Sequence, residues 1–333
     1  RITAVGRHAV KSNTTGTTAT GVGYRALRDS TGSDNTALGN DAGYLISSGQ
    51  SNTIIGSTAG DAITTGINNC FLGYRSGTAT TVSSYNVAIG EASLLTNILG
   101  SKSVAIGDGA LYTQNIGTAT DMNNVAVGFS AGASVTTGIS NVFIGANSGS
   151  NVTTGGGNII IGDADGSDVG TAHQIIIGNS VVGVGQDNFT FGRATLDSNI
   201  AFGATTISAP SDERLKEDIQ DEKIGLDFIN ELRPVTFQWK KAKDVPSEMK
   251  AHSDSEERVM NGKYNHGFIA QEVKSVLDKY DIKDGFGMWL EETSDGSQRI
   301  AEGELMSILV KSIQELSAKN EALEARLSAL ENG

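Results

Sequence analysis

The chain has 333 residues, 38% hydrophobic but only 6% aromatic, with 42 glycines, a formal net charge of -13 and a pI near 4.8. That acidity argues against a sequence-independent grip on nucleic acid or on an anionic membrane face, and no apolar run reaches the 18 or so residues that a membrane-spanning helix needs. Much glycine with few aromatics points to a repeat architecture rather than one large core.

The length suggests about two domains. The amino terminus lacks the basic, apolar and small-residue pattern of a secretory signal, and a start at Arg1 suggests a piece or processed form of something longer. Cys70 is the only cysteine; it excludes an internal disulfide framework and reads as a small apolar filler. No Cys/His cluster has metal spacing, so neither metal nor cofactor is expected.

From Arg1 one pattern recurs: Asn, alternating apolar and small residues, then Gly. It appears as Asn35-Thr36-Ala37-Leu38-Gly39 and Asn52-Thr53-Ile54-Ile55-Gly56, and again in the runs beginning at Asn86, Asn124, Asn141 and Asn158. The closing glycines fall at 6, 23, 39, 56, 73, 90, 107, 128, 145, 162, 178, 192 and 203, mostly 16 or 17 apart. A period this short predicts a solenoid, each unit burying its apolar face against the next. Short Val-, Ile- and Phe-rich runs between Gly, Asn, Ser and Thr predict that its rungs are β-strands. No proline precedes Pro210, as continuous ladder hydrogen bonding requires. The long gap before Gly128 is expected to be a loop, and the shortened units after Gly178 a tapering end.

A thin coil leaves apolar surface in water, so chains are expected to associate around an axis, most simply as a homotrimer. His8 and His173 are isolated and read as structural or solvated. Asp163, Asp165 and Asp168 invite a calcium reading, but their spacing is not that of a calcium loop and a solvated turn is preferred. Loops of Ser, Thr, Asn and Gly suit carbohydrate or receptor contact, and are equally what turns are made of. Over residues 1–203 the repeat resembles the left-handed parallel β-roll heads of trimeric autotransporter adhesins.

Residues 204–210 read as a linker, and from Ser211 the composition turns charged and mixed. In Ser211-Asp212-Glu213-Arg214-Leu215-Lys216, the hydroxyl followed by two acids reads locally as a helix N-cap. Ser and Lys five apart do not share a face of a regular helix, so the spacing alone does not make a catalytic pair. The motif continues through Glu217-Asp218-Ile219, then Leu226 to Leu232 with Pro234 and Phe237-Gln238-Trp239, then His266-Gly267-Phe268-Ile269-Ala270-Gln271-Glu272-Val273. Together these stretches resemble the intramolecular chaperone auto-processing domain of phage tail spikes and tail fibres, found also in endosialidase tail spikes and in the myelin regulatory factor.

The resemblance implies a self-cleaving trimerisation chaperone over 211–333 that cuts the Pro210–Ser211 bond with Ser211 and Lys216 as a serine-lysine dyad. It places Asp212 in the motif, with a positioning role. His266 and Gln271 would serve as an oxyanion donor or orienter, or His266 is merely a strand-end residue. His252 reads as loop.

Near the carboxy terminus, Leu309, Ile313, Leu316, Asn320, Leu323, Leu327 and Leu330 alternate spacings of four and three. This is a heptad seam on a coiled-coil helix over about 304–331, with Asn320 as a register-setting polar core residue. The expected fold class is a trimeric β-solenoid, or parallel β-roll, followed by a small α+β domain and this helix.

The leading functional expectation is a tail fibre or spike segment carried on a virion and made in the host cytoplasm. Its partners would be its own copies, other phage tail proteins through a missing amino-terminal part, and a host receptor or glycan, with no nucleic acid and no membrane insertion. One alternative makes the roll itself the receptor-binding head. Another, a polysaccharide-degrading spike, is disfavoured by sparse acids and few aromatics.

Overall fold

The computed structural model describes residues 1–282 and 286–332, and divides the chain into two compact units, Arg1–Leu215 and Lys216–Gly333. The first unit is a β-solenoid. Its thirteen-stranded sheet runs from Ile2–Val5 to Asn188–Arg193 with every pair parallel, and is closed by Leu196–Ala201, which returns antiparallel. Most rungs are only three or four residues long. The end does not taper as expected: Gln174–Val182 spans nine residues, and Gly203 lies beyond the closing hairpin rather than ending a coil.

Each closing glycine lets one coil sit on the next. At Gly39 φ is +143°, and a Cβ would lie 2.5 Å from the carbonyl oxygen of Gly56. An L-residue would be strained there and would also strike backbone.

The repeated asparagines form a buried ladder inside the coil. Asn52 N–H donates to Asn35 Oδ1 at 3.0 Å, Asn69 N–H to Asn52 Oδ1 at 3.0 Å, and the series continues through Asn158 N–H to Asn141 Oδ1 at 2.9 Å. Each amide also donates across its own coil, as Asn52 Nδ2 does to Gly66 O at 2.9 Å and Asn141 Nδ2 to Gly155 O at 2.9 Å. The side chains thereby satisfy backbone groups at a corner where the sheet ladder cannot reach.

The ladder is interrupted at Ser103, whose hydroxyl is too short to reach the next rung. Gln114, fully buried, replaces the missing amide: its Oε1 accepts from Asn124 Nδ2 at 2.9 Å and its Nε2 donates to Ser103 Oγ at 3.1 Å and to Asn97 Oδ1 at 3.2 Å. The long spacing before Gly128 is a local insertion. It adds the paired short strands Gly100–Ser101 and Thr120–Asp121 and is anchored by fully buried Met122.

Core volume is traded between strand and turn and between neighbouring coils. Where the inward strand residue is Ala88 or Ala105, the following turn supplies buried Leu94 and Leu111; where it is Phe71 or Phe143, the turn has Gly77 or Gly149; and where both are small, as at Ala126 and Gly132, Leu111 and Phe143 of the adjacent coils reach in. Sharing the space in this way keeps the interior closely packed.

The register leaves two outward columns on the strand face. One runs Thr3, Thr20, Thr36, Thr53 and Cys70, then Val87, Val104, Val125, Val142, Ile159 and Ile175. The other runs from Val5 to Ile177, with Val5, Leu38, Leu72, Ile106, Ile144 and Ile177 at least 36% exposed and Val22, Ile55, Ile89, Val127 and Ile161 between them half-buried. Neither column carries a charge. Cys70 is therefore not an interior filler; it is half-buried on this outer face.

The second unit holds helices α1 (Leu226–Glu231), α2 (Ala270–Tyr280) and α3 (Leu305–Glu331), with two antiparallel strand pairs, Val235–Phe237 with Asn265–Gly267 and Trp289–Glu291 with Gln298–Ile300. Its core is Phe228, Leu232, Val273, Leu277, Met288, Leu305 and Ile308. Glu315 accepts the Leu226 N–H at 3.0 Å, supplying from α3 the side-chain cap that Gly225 cannot give to the start of α1 and adding to the negative charge of Asp227 there. From Leu316 to Asn332 every residue is exposed. Among the described residues no helix is long and apolar enough to cross a membrane.

Candidate functional site

The junction is a fully exposed run, residues 201–223. Within it Ser208 is tied back to the closing hairpin by reciprocal Asn199–Ser208 backbone hydrogen bonds, each 2.8 Å. After Pro210, no α-helix begins at Ser211. A single 3-10 turn spans Glu213–Leu215, and Asp212 rather than Ser211 is its cap, its carboxylate accepting the Arg214 N–H at 2.9 Å.

The Arg214 guanidinium also grips Asp212, with Nε at 2.9 Å and Nη2 at 2.6 Å. These bonds, the side-chain ones foremost, hold the Asp212 carboxyl below its usual range and raise the arginine. Asp212 thus acts locally as the organiser of the turn between Ser211 and Lys216. The boundary between the two compact units falls after Leu215, inside the motif.

His266 lies mid-strand, opposite Thr236, with its side chain exposed. It lines a shallow cleft of about 460 Å³ with Pro234, Val235, Thr236, Gly267, Phe268 and Glu302. Gln271 is exposed in the first turn of α2, where its carbonyl accepts from Ser275 Oγ at 3.1 Å. His252 Nδ1 sits 2.7 Å from the Val245 carbonyl.

No group of three or more metal-ligating side chains exists among the described residues. Asp165 accepts from Ser150 Oγ at 3.0 Å. Asp168 caps a turn by accepting the N–H groups of Gly170 and Thr171 at 2.8 and 2.9 Å, which keeps its carboxyl below the ordinary range. His173 Nδ1 lies 3.4 Å from an Asp187 oxygen at an exposed position.

The heptad residues Leu309, Ile313, Leu316, Leu323, Leu327 and Leu330 are 38% to 74% exposed, and Asn320 is exposed with them. Within the chain, α3 packs instead through Leu305, Ile308 and Ser312. The exposed stripe is thus distinct from the helix face the chain uses for its own core.

Residues 211–282 match the family model described as chaperone of endosialidase, a peptidase family. The chaperone-of-endosialidase match opens at Ser211 itself and covers the junction motif, both strands that carry Thr236 and His266, α1 and α2; it ends before α3. With the solenoid that precedes it, it supports a tail-fibre-like protein bearing a chaperone domain. No curated protein and no solved structure matches the chain.

One feature escaped the sequence reading. Turn residues of successive coils stack with their own hydrogen bonds, bringing Arg25 between Tyr24 and Tyr44 and Arg28 onto Tyr44. Aligning the chain at its own period, which sets Lys11, Arg28 and Tyr44 in one column and His8, Arg25 and Asp41 in another, would have found it.

Proposed function

We propose that the chain is a homotrimeric tail-fibre-type segment whose C-terminal unit acts as an intramolecular chaperone and cuts the Pro210–Ser211 bond. The observation that carries this reading is the start of the family match at Ser211, within an exposed run where the solenoid has ended. On this reading its other partners are further tail proteins and a host-surface receptor.

In the proposed chemistry Ser211 Oγ attacks the carbonyl carbon of Pro210 as Lys216 Nζ takes the hydroxyl proton. The Pro210–Ser211 C–N bond then breaks and the Ser211 nitrogen is protonated, leaving an ester. Water hydrolyses the ester to a Pro210 carboxylate and restores the Ser211 hydroxyl. A serine hydroxyl needs such a base, and a hydrated lysine ammonium is a poor one at neutral pH. Lys216 is exposed in the single chain. Desolvation of this region on assembly would free its amine, so that cutting follows trimer formation.

Two surfaces support the trimer. The uncharged strand-face columns make a strip of eleven rungs, about 50 Å long at ~4.8 Å per rung, apolar in both columns from Cys70 onward, and a contiguous apolar strip of that size marks an interface. Among the described residues the outer half of α3 is exposed throughout, and helices of that length are marginal alone in water. Parallel in-register copies bring each column and each heptad leucine against its equivalents. A C-terminal unit that holds three chains together raises their effective concentration for the slow, non-local pairing of the rolls.

The test is expression of the wild type beside Ser211→Ala and Lys216→Ala, followed by denaturing gels and amino-terminal sequencing. The wild type is expected to yield a fragment beginning at Ser211 while both variants stay at 34.6 kDa. If the wild type also stays whole, or either variant is cut at the same bond, the dyad is wrong.

A further inference from the structure

The turn face of the first three coils differs from the rest of the solenoid. Backbone hydrogen bonds stack these turns: Arg25 N–H donates to Arg7 O at 3.0 Å, Asp41 N–H to Tyr24 O at 2.9 Å, and Ser12 N–H to Arg28 O at 2.8 Å. Arg7, His8, Lys11, Arg25 and Arg28 therefore converge on one patch. Asp29 and Asp41 lie within the patch, and farther along the equivalent turns carry Asp61, Glu91 and Asp108 against Arg75. The turn face is basic at one end and acidic beyond it.

The patch is rigid and keeps unspent positive charge. The Arg25 guanidinium carbon lies 4.8 Å from the Tyr24 ring centre and 4.7 Å from that of Tyr44, while its Nε and Nη2 hold Asp41 at 2.7 and 2.8 Å. Arg28 stacks on Tyr44 at 3.7 Å and bonds Asp29 through Nε at 2.8 Å and through Nη2 as well. Stacking and these ion pairs hold both guanidinium forks on Asp41 and Asp29, so the charge left for a ligand is that of Arg7 and Lys11. Arg7 and Lys11 are exposed and, among the described residues, pair with no acid. His8, edge-on to Tyr24 at 6.4 Å, is held below its ordinary pKa by desolvation and then by Lys11, Arg7, Arg25 and Arg28.

We propose that this patch binds the acid groups of an anionic polysaccharide. The Arg7 guanidinium and the Lys11 ammonium can donate to carboxylate and sulfate oxygens, and Tyr24, 41% exposed, adds an amphipathic ring beside them. The patch covers about three rungs, roughly 10–15 Å. The acidic turns beyond it and the net charge of -13 repel a long polyanion lying along the roll, which sets nucleic acid aside. The site is independent of junction cleavage and lies off the strand face, so it stays open in a trimer.

The test titrates the purified roll-bearing protein, cut or uncut, with oligogalacturonate, a sulfated dextran oligomer, neutral dextran and a short single-stranded DNA, while NMR follows the His8 ring. Binding of either acidic saccharide, with His8 titrating at higher pH in the complex, is expected. The two acidic arms distinguish a uronate from a sulfate source. Arg7→Gln with Lys11→Gln should weaken binding about tenfold or more, roughly 1.4 kcal/mol, without changing the melting curve, and Arg75→Gln should leave affinity unchanged. Equal binding of neutral dextran, binding of DNA alone, an unaffected double variant, or no binding by any acidic saccharide would overturn the site.

Discussion

At the scale of single residues, the solenoid depends on positions where a side chain must be absent. Gly132 has φ +58°, and a Cβ there would lie 2.6 Å from Phe143 Cδ2 and 3.1 Å from Leu111 Cδ2. Gly132→Ala is expected to cost about 1–3 kcal/mol through overpacking, read as a lower denaturation midpoint. Gly117→Ala, in open space, should leave the midpoint nearly unchanged, and equal midpoints would refute the filling of the space beside Gly132 by Phe143 and Leu111 of the adjacent coils. The sequence made the glycines of the main repeat legible through their spacing. It hid the left-handed conformations of His8, Val10, Arg25 and Leu27, because ordinary L-residues carry no local mark of a conformation imposed by stacked coils.

At the scale of elements, the coil corners are held by side chains rather than by sheet. Asn141 is wholly buried, accepts the Asn158 N–H and donates to Gly155 O. Asn141→Ala orphans both groups and should lower stability by about 2–4 kcal/mol, with faster amide exchange at Asn158 than in coils far from the change; unchanged exchange there would contradict the ladder. Asparagine before each strand was visible in the sequence as a motif, yet it looked like turn chemistry. Only the register, which superposes residues 17 apart, reveals it as a buried column. The helix Leu305–Glu331 was legible because its apolar spacing is long and regular. The turn at Ser211 was not, since Asp212 competes with Ser211 for the capping role.

At the scale of the whole molecule, the proposed homotrimer would use the strand face and α3 as its interfaces. If three rolls meet through that face, three Cys70 thiols approach one axis, so a short trivalent maleimide should give covalent trimers and a bivalent one covalent dimers on denaturing gels; single-chain adducts alone would place the interface elsewhere. The fold class was readable from periodicity, and the junction from its resemblance to a chaperone domain. The cationic turn face was not, since its residues are scattered over the first 44 positions and meet only when coils stack. The irregular coil carries one more consequence. Ser103, Gln114 and Met122 fit each other and not the repeat average, so restoring asparagine at 103 would crowd the amide that already fills its place. Such a coil must be inherited, duplicated or transplanted as a block, and a variant averaged column by column from its neighbours would lose what the exception supplies.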